Sequence, residues 1–145
     1  RRRCGDQFAQ GVAIRLSAEL AGQYDFLPWV PCSRRRRHTR GFDQTEVLAK
    51  CLAKELSCPV YPVLKKIRNN PKQSALGDAA RRRANVLGVY RVVDPERVNG
   101  ARILVVDDVV TTGATLEECS KMLTLAGAKD LVCTAIASAR MDHKK

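Results

Sequence analysis

The sequence lacks several features that would place a protein in another class. No apolar stretch is long enough to span a membrane, and no signal peptide opens the chain. Six cysteines occur, but none forms a Cys-x-x-Cys pair, which disfavours a structural zinc site and favours reduced, mostly buried thiols. Aromatic residues make up only 5% of the chain, and few stand where they could stack on nucleic-acid bases. These absences favour a cytoplasmic protein whose 145 residues form one domain with a sizeable core.

The positive charge is concentrated in the first part of the chain. The formal net charge is +11, and all of it lies in residues 1–100, because residues 101–145 contain equal numbers of acidic and basic side chains. Most of the excess comes from two arginine clusters, residues 34–37 with Arg40 and residues 81–83. A basic surface of this kind fits either a nucleic acid or a polyanionic small substrate.

One segment carries more chemistry than any other. Residues 103–115 read Ile-Leu-Val-Val-Asp-Asp-Val-Val-Thr-Thr-Gly-Ala-Thr, an apolar run that ends in two adjacent acids and a hydroxyl-rich loop. The run is typical of a strand that is buried on both faces of a parallel sheet. Apolar residues at helical spacing follow it, and Gly127 then favours a helix end. We therefore expect the loop to join the carboxyl end of a strand to the amino end of a helix, where open α/β sheets place their ligands.

The residue types in this loop suit a sugar phosphate. Unpaired N–H groups at a helix start attract an anion, and the hydroxyls of Thr111, Thr112 and Thr115 add donors around Gly113. The neighbouring carboxylates of the acid pair suit paired sugar hydroxyls or a hydrated magnesium ion. Together these groups predict a ribose 5-phosphate site. The alternative is that the acids only end the strand and that the threonines only cap the helix.

The remaining patterns predict an α/β domain. Helices are predicted at residues 7–22, 43–56 and 115–126, and strands at residues 26–30, 59–67, 89–93, 103–106 and 131–137. The alternating order favours a parallel sheet with helices on both faces. The long polar connection at residues 68–88 is of the kind that usually carries function. We expect a single domain over residues 1–145, in which residues 1–25 form a helical segment that continues from a region upstream, since the chain does not begin with Met.

Two motifs resemble known families. Residues 103–115 resemble the phosphoribosyl-pyrophosphate signature of type I phosphoribosyltransferases, which has four apolar residues, two acids and a Thr-Thr-Gly-x-Thr loop. A second set resembles the ComF family: Arg40-Gly41-Phe42-Asp43-Gln44, then Gln73, Leu76, an arginine group, Asn85 and Tyr90. Asp43 stands where that family usually has Asn. The resemblance implies the type I phosphoribosyltransferase fold, a Rossmann-like, mostly parallel five-stranded sheet with helices on both faces.

The resemblance also implies a role for each part of the site. Asp107 and Asp108 would hold the ribose hydroxyls, and the loop Thr111, Thr112, Gly113, Ala114 and Thr115 would hold the 5-phosphate. The loop after the first strand, Pro31, Cys32, Ser33 and Arg34, would cradle pyrophosphate. The catalytic residues implied are the acid pair with Lys72, Arg81, Arg82 and Arg83, which would reach pyrophosphate from the long connection. The implied cofactor is Mg²⁺, held mainly through the substrate, with no direct protein ligand and with the acid pair nearby.

Three functions are compatible with this sequence. The first is a phosphoribosyltransferase that transfers phosphoribosyl from phosphoribosyl pyrophosphate to an unknown acceptor and forms a homodimer. The second is a non-catalytic module that binds a nucleotide or sugar phosphate as a regulatory ligand. The third is a protein that handles nucleic acid, with single-stranded DNA or other competence proteins as partners, because the ComF family is linked to DNA uptake. An amidotransferase is disfavoured, since the sequence has neither a glutaminase domain nor an N-terminal nucleophilic cysteine.

Overall fold

The computed structural model describes residues 21–32, 39, 41–68 and 88–138. Its helices and strands, in chain order, are α1 (Gln44–Leu56), β1 (Leu64–Lys66), β2 (Tyr90–Val92), α2 (Pro95–Val98), β3 (Arg102–Val110), α3 (Ala114–Leu125) and β4 (Asp130–Ser138). The predicted helix at residues 7–22 lies outside the described residues except for its last two, which form a turn. Among the described residues, no helix is long and apolar enough to cross a membrane.

A parallel sheet forms the centre of the domain. Strands β3 and β4 pair in parallel along their whole lengths, from Arg102 opposite Asp130 to Val110 opposite Ser138. The predicted first strand, residues 26–30, lies on the other side of β3 and is joined to it by isolated parallel bridges. One further parallel bridge connects this segment to Val60. The order across the sheet is therefore the Val60 segment, residues 26–30, β3 and β4.

Helices cover the two faces of this sheet. The period of two along β3 sends Ile103 and Val105 to one face, and Leu104 and Val106 to the other. The first face packs against α3 in a cluster that includes Phe26, Leu116, Cys119 and Leu123. The second face packs against α1 in a cluster that includes Leu27, Ala49, Leu52, Ala53 and Leu56. Burial on both faces explains why the first half of β3 is a continuous apolar run rather than an alternating one.

Two further strands depart from the predicted parallel order. Strands β1 and β2 form an antiparallel pair, with Leu64 opposite Val92 and Lys66 opposite Tyr90. The predicted sheet of five strands is not confirmed, since the four strands of the described residues form two separate two-stranded sheets and residues 26–30 make only isolated bridges. Pro28 explains the interruption of that segment, because it has no N–H to donate to a ladder, although its carbonyl accepts a hydrogen bond from the Val106 N–H at 3.0 Å.

The predicted boundaries hold closely at the helices and less well at the central strand. Helix α1 begins at Gln44 with Asp43 as its N-cap, and α3 covers Ala114–Leu125. Strand β3 continues past the predicted end at Val106 to Val110, because β4 pairs with it over that length. The prediction that the acid pair follows the strand is therefore wrong: Asp107 and Asp108 lie within it. The short helix α2 was not predicted.

Candidate functional site

The order of the sheet reverses between residues 26–30 and β3. From residues 26–30 the chain crosses through α1 to the Val60 segment on one side, whereas β3 continues through α3 to β4 on the other side. In open α/β sheets, the crevice at the carboxyl ends of the strands at such a reversal is where ligands bind. Two segments lie at this point, Pro31–Cys32 and the stretch formed by residues 107–115.

A cleft of about 220 Å³ opens at the carboxyl end of β3. Its lining includes every residue predicted for the ribose and the 5-phosphate, which are Asp107, Asp108, Thr111, Thr112, Gly113, Ala114 and Thr115. Val109, Val110 and Leu116 complete the lining. The structure thus brings the predicted acid pair and the predicted phosphate loop into one cavity. Ser33, Arg34, Lys72, Arg81, Arg82 and Arg83 lie outside the described residues.

The loop between β3 and α3 leaves a helix start open to this cleft. Gly113 is the N-cap of α3 and has a φ of +77°, in the left-handed region that favours glycine. It has no side chain with which to cap the first-turn N–H groups. The alternative interpretation, in which the threonines only cap the helix, is supported by a single long hydrogen bond, 3.4 Å from the Ala114 N–H to Thr112 Oγ1. Thr111 is exposed, and Thr112 and Thr115 are half-buried. The first-turn N–H groups and the threonine hydroxyls can therefore donate hydrogen bonds to an anion in the cleft.

The two acids of the pair have different surroundings. Asp107 is 7% exposed, whereas Asp108 is half-buried. Asp107 Oδ1 accepts a hydrogen bond from the Asp108 N–H at 2.8 Å, and Asp108 Oδ1 accepts one from the Val109 N–H at 2.8 Å. Burial raises the pKa of Asp107 to about 7, with the charges of Asp108 and Asp43 adding to the effect and the Asp108 N–H partly opposing it. Asp107 therefore exchanges its proton near neutral pH.

The thiols of the two cysteines near this acid, Cys119 and Cys133, have raised pKa values. Burial, followed by the negative charge of Asp107, raises the pKa of the Cys119 thiol. Cys133 is more exposed, but partial burial also raises the pKa of its thiol. Thiols in such surroundings stay protonated and are poor nucleophiles. None of the five described cysteines forms a disulfide bond with another, and their reduced state stays a prediction. The expectation that most are buried is wrong, because Cys119 alone among them is fully buried and Cys133 lies on the largely open strand β4.

Two buried acidic residues were assigned no role by the sequence analysis. Asp43 is buried, caps α1 by accepting from the Thr45 N–H at 3.0 Å, and also accepts from the Cys32 N–H at 3.0 Å. An Asp directly before a helical pattern is a known capping signal, so its role at the helix could have been found. Glu118, buried on α3, accepts a hydrogen bond from the Gly88 N–H at 2.8 Å. No local signal announces that contact, because the two residues are 30 positions apart.

Comparisons with known proteins agree with this geometry. A family model described as the phosphoribosyl transferase domain matches residues 44–145. Competence protein F of Haemophilus influenzae is 31% identical over 112 residues, which cover 76% of this chain and 48% of that protein. The DNA utilization protein YhgH of Escherichia coli O157:H7 is 36% identical over 100 residues, which cover 68% of this chain and 43% of that protein. The chain thus spans less than half the length of these relatives.

A solved structure supports the fold. The glutamine phosphoribosylpyrophosphate amidotransferase of Bacillus subtilis, complexed with ADP and GMP, superimposes with a TM-score of 0.62 and 23% identity, covering 90% of this chain and 26% of that one. At this identity the likeness concerns the fold alone. The predicted type I phosphoribosyltransferase fold and the resemblance to ComF proteins are both confirmed. With its matched family model, its competence-protein relatives and its strand–loop–helix cleft, this chain belongs to the phosphoribosyltransferase domain family.

Proposed function

We propose that this protein binds 5-phosphoribosyl 1-pyrophosphate with Mg²⁺ and transfers the phosphoribosyl group to an acceptor nucleophile. One observation carries the proposal: a single cleft at the reversal of the strand order holds both an acid pair and an open, hydroxyl-rich helix start. A phosphate site alone would not need two carboxylates, and a cation site alone would not need the helix start. The family match supports the same activity.

The phosphate end of the ligand binds at α3. The first-turn N–H groups of this helix and the hydroxyls of Thr112 and Thr115 surround the cleft and can donate to the 5-phosphate oxygens. The positive end of the helix dipole lies at the same place. Because Gly113 carries no side chain, the backbone there can approach the anion closely.

The ribose end binds at the acid pair. Asp108 is half-buried at the cleft, and its carboxylate can accept hydrogen bonds from sugar hydroxyls. Asp107 lies beside it with a pKa raised to about 7 by burial. A carboxyl group that is partly protonated near neutral pH repels the neighbouring phosphates less than two full charges would.

The carboxylate oxygens at the cleft suit a magnesium ion whose other ligands come mainly from the substrate. Among the residues that the structure describes, no three acidic, histidine or cysteine side chains are grouped so that they could hold a metal. Mg²⁺ commonly keeps several waters and uses substrate phosphates together with one or two carboxylates. When bound, it would neutralise charge on the pyrophosphate. The acid pair contributes oxygen atoms near that position.

The reaction would be a displacement at the anomeric carbon. The acceptor's lone pair forms a bond to this carbon while the bond to the pyrophosphate oxygen breaks and its electron pair leaves with pyrophosphate. The described residues contribute mainly by holding the two ends of the sugar phosphate in one orientation. The helix start fixes the 5-phosphate, and the acid pair fixes the hydroxyls of the ribose ring.

A second candidate function is a non-catalytic role in DNA uptake, in which the same cleft binds a regulatory nucleotide or sugar phosphate. The names of the relatives, a competence protein and a DNA utilization protein, and the net charge of +11 favour it. Binding to single-stranded DNA should weaken steeply with salt because counterions are released. Binding of a sugar phosphate in the cleft should depend much less on salt. A homodimer stays a prediction under either function.

Calorimetric titration with phosphoribosyl pyrophosphate, with and without Mg²⁺, tests the proposal. The wild type should bind in a magnesium-dependent manner, and Asp108→Asn should weaken the binding. Asp130→Asn is a matched control, since Asp130 also accepts the N–H of the next strand residue, at 2.9 Å, but lies at the amino end of β4. A well-folded wild type that binds no phosphoribosyl pyrophosphate would refute the proposal. Pyrophosphate release with candidate acceptors then separates an enzyme from a binding module.

A further inference from the structure

A buried carboxylate outside the predicted site connects helix α1 to the segment that follows residues 26–30. Asp43 is 5% exposed and directly precedes α1. Its Oδ1 accepts a hydrogen bond from the Thr45 N–H, and its Oδ2 accepts one from the Cys32 N–H, both at 3.0 Å. One side chain thereby connects the start of a helix to the Pro31–Cys32 segment that follows residues 26–30.

Capping the helix does not require a carboxylate. A single side-chain oxygen is enough to accept the N–H of the first turn, and Ser, Thr or Asn would serve as well as Asp. The hydrogen bond to Cys32 uses the second oxygen. Each N–H meets a different oxygen of Asp43, and in Asn one of these two positions would be an NH₂ donor, so Asn in the same orientation would keep only one of the bonds. The position of the Cys32 backbone therefore depends on Asp at residue 43.

The Pro31–Cys32 segment, which Asp43 contacts through the Cys32 N–H, lies at the edge of the candidate site. The Val30 N–H donates to the Val106 carbonyl at 2.9 Å, so Pro31 and Cys32 leave the sheet next to the place where β3 reaches Asp107. The negative charge of Asp43 is felt at Asp107, where it helps to raise the pKa of that acid. Asp43 thus connects α1 to the Pro31–Cys32 segment, and its charge acts on the acid pair.

We propose that Asp43 is a positioning residue for the pyrophosphate group of the ligand. It fixes the Pro31–Cys32 backbone beside Asp107, on the side of the acid pair that is away from the 5-phosphate loop. The inference rests on the proposed function, since it assumes that phosphoribosyl pyrophosphate occupies the cleft. It adds that the two phosphate-bearing ends of the ligand depend on different residues. The 5-phosphate end should not depend on Asp43.

The test compares two ligands that differ in the pyrophosphate group. Wild type and Asp43→Asn are titrated with phosphoribosyl pyrophosphate and with ribose 5-phosphate, each in the presence of Mg²⁺. We expect Asp43→Asn to bind phosphoribosyl pyrophosphate about tenfold more weakly, as the loss of one hydrogen bond to a charged group suggests, and to bind ribose 5-phosphate as the wild type does. Removal of a negative charge would by itself strengthen the binding of a polyanion, so weaker binding indicates a lost position rather than a changed charge.

Two further measurements separate positioning from stability. The amide resonance of Cys32 in a ¹H–¹⁵N spectrum should move in Asp43→Asn, because its acceptor is lost, while the midpoint of thermal unfolding should change little, because the cap is kept. Asp43→Ser, which also keeps a capping oxygen and cannot reach both N–H groups, should show the same split between the two ligands. Asp43→Ala should also lower the unfolding midpoint.

Three outcomes would overturn the inference. Equal losses of affinity for both ligands would mean that Asp43 acts only through the stability of the fold. Unchanged or stronger binding of phosphoribosyl pyrophosphate by Asp43→Asn would mean that Asp43 is not needed to position the Pro31–Cys32 backbone for the pyrophosphate group. A wild type that binds neither ligand would refute the proposed function, and this inference with it, which distinguishes that failure from the first two.

Discussion

The acidic residues at the two ends of β3 have pKa values that are shifted in opposite directions. At the amino end, Asp25 forms an ion pair with Arg102 at 2.9 Å and also accepts the Arg102 backbone N–H, and these hydrogen bonds lower the pKa of Asp25. At the carboxyl end, Asp107 is buried beside two other acids, and its pKa is raised. Among the described residues, the structure gives Asp107 no cationic partner. The charges at the amino end stabilise the fold, whereas those at the carboxyl end oppose it and are available to a ligand.

The largest expected effect comes from neutralising the acid pair. Asp107→Asn combined with Asp108→Asn should reduce the affinity for phosphoribosyl pyrophosphate more than about a hundredfold, because two groups that accept from the sugar hydroxyls are lost. Calorimetric titration measures the loss, and far-ultraviolet circular dichroism checks that the fold is intact. Undiminished binding would show that the acids at the carboxyl end of β3 do not hold the ligand, and their contrast with Asp25 would then concern stability alone.

The buried acid should also affect stability. Asp107→Asn should raise the free energy of unfolding by about 2–4 kcal/mol at pH 8, since the charged form of Asp107 is disfavoured in the folded state. The folded pKa lies above the unfolded one, so the wild type loses stability as the pH rises from about 4 to about 7. Below that window both forms of the chain hold the proton, and the gain should vanish. Urea unfolding at several pH values measures it; a variant that is less stable at pH 8 would contradict the assignment.

The hydroxyls of the phosphate loop should matter less. Thr112→Ala with Thr115→Ala should weaken the binding of ribose 5-phosphate by roughly 1–3 kcal/mol, because hydrogen bonds to a charged group are lost while the helix N–H groups remain. Thr124→Ala, at the exposed far end of the same helix, is the control. Equal effects of the two changes on ligand affinity would show that the loop does not hold the phosphate.

The smallest effect is expected at the amino end. Asp25→Asn should modestly destabilise the fold at neutral pH, because the ion pair with Arg102 is exposed and such pairs contribute little. The pKa of Asp25 is lowered in the folded state, so its contribution is present above the unfolded pKa and is lost as the pH falls through the folded one. This dependence on pH is opposite in direction to that of Asp107. Unfolding curves of both variants at pH 3 and pH 8 would sharpen or remove the contrast.

The strand–loop–helix unit at residues 103–125 could be predicted because its signals are local. An apolar run, two acids, a glycine and a helical period lie within one stretch of chain, and each limits the backbone without help from distant residues. The helix that Asp43 caps could be predicted on the same grounds. The antiparallel pairing of β1 with β2 could not, because the order of elements alone favours a parallel sheet.

The site divides along the same line. The residue types of the acid pair and of the phosphate loop were enough to predict the class of ligand, since carboxylates, hydroxyls and a helix start have known chemical partners. The length of β3 was not predictable, because its last residues become a strand only through pairing with β4. The contact between Glu118 and Gly88 likewise depends on packing between distant parts of the chain.

By itself, then, the sequence determined which groups the cleft contains and that a buried strand, a loop and a helix start follow one another there, because neighbouring residues encode those features. Only the tertiary structure decided how these groups behave. The burial of Asp107 raises its pKa to about 7, and the hydrogen bond from the Cys32 N–H to Asp43 holds the Pro31–Cys32 segment at the same edge of the sheet. Both depend on elements that are far apart in the chain and meet at one edge of the sheet, and no local pattern records such a meeting.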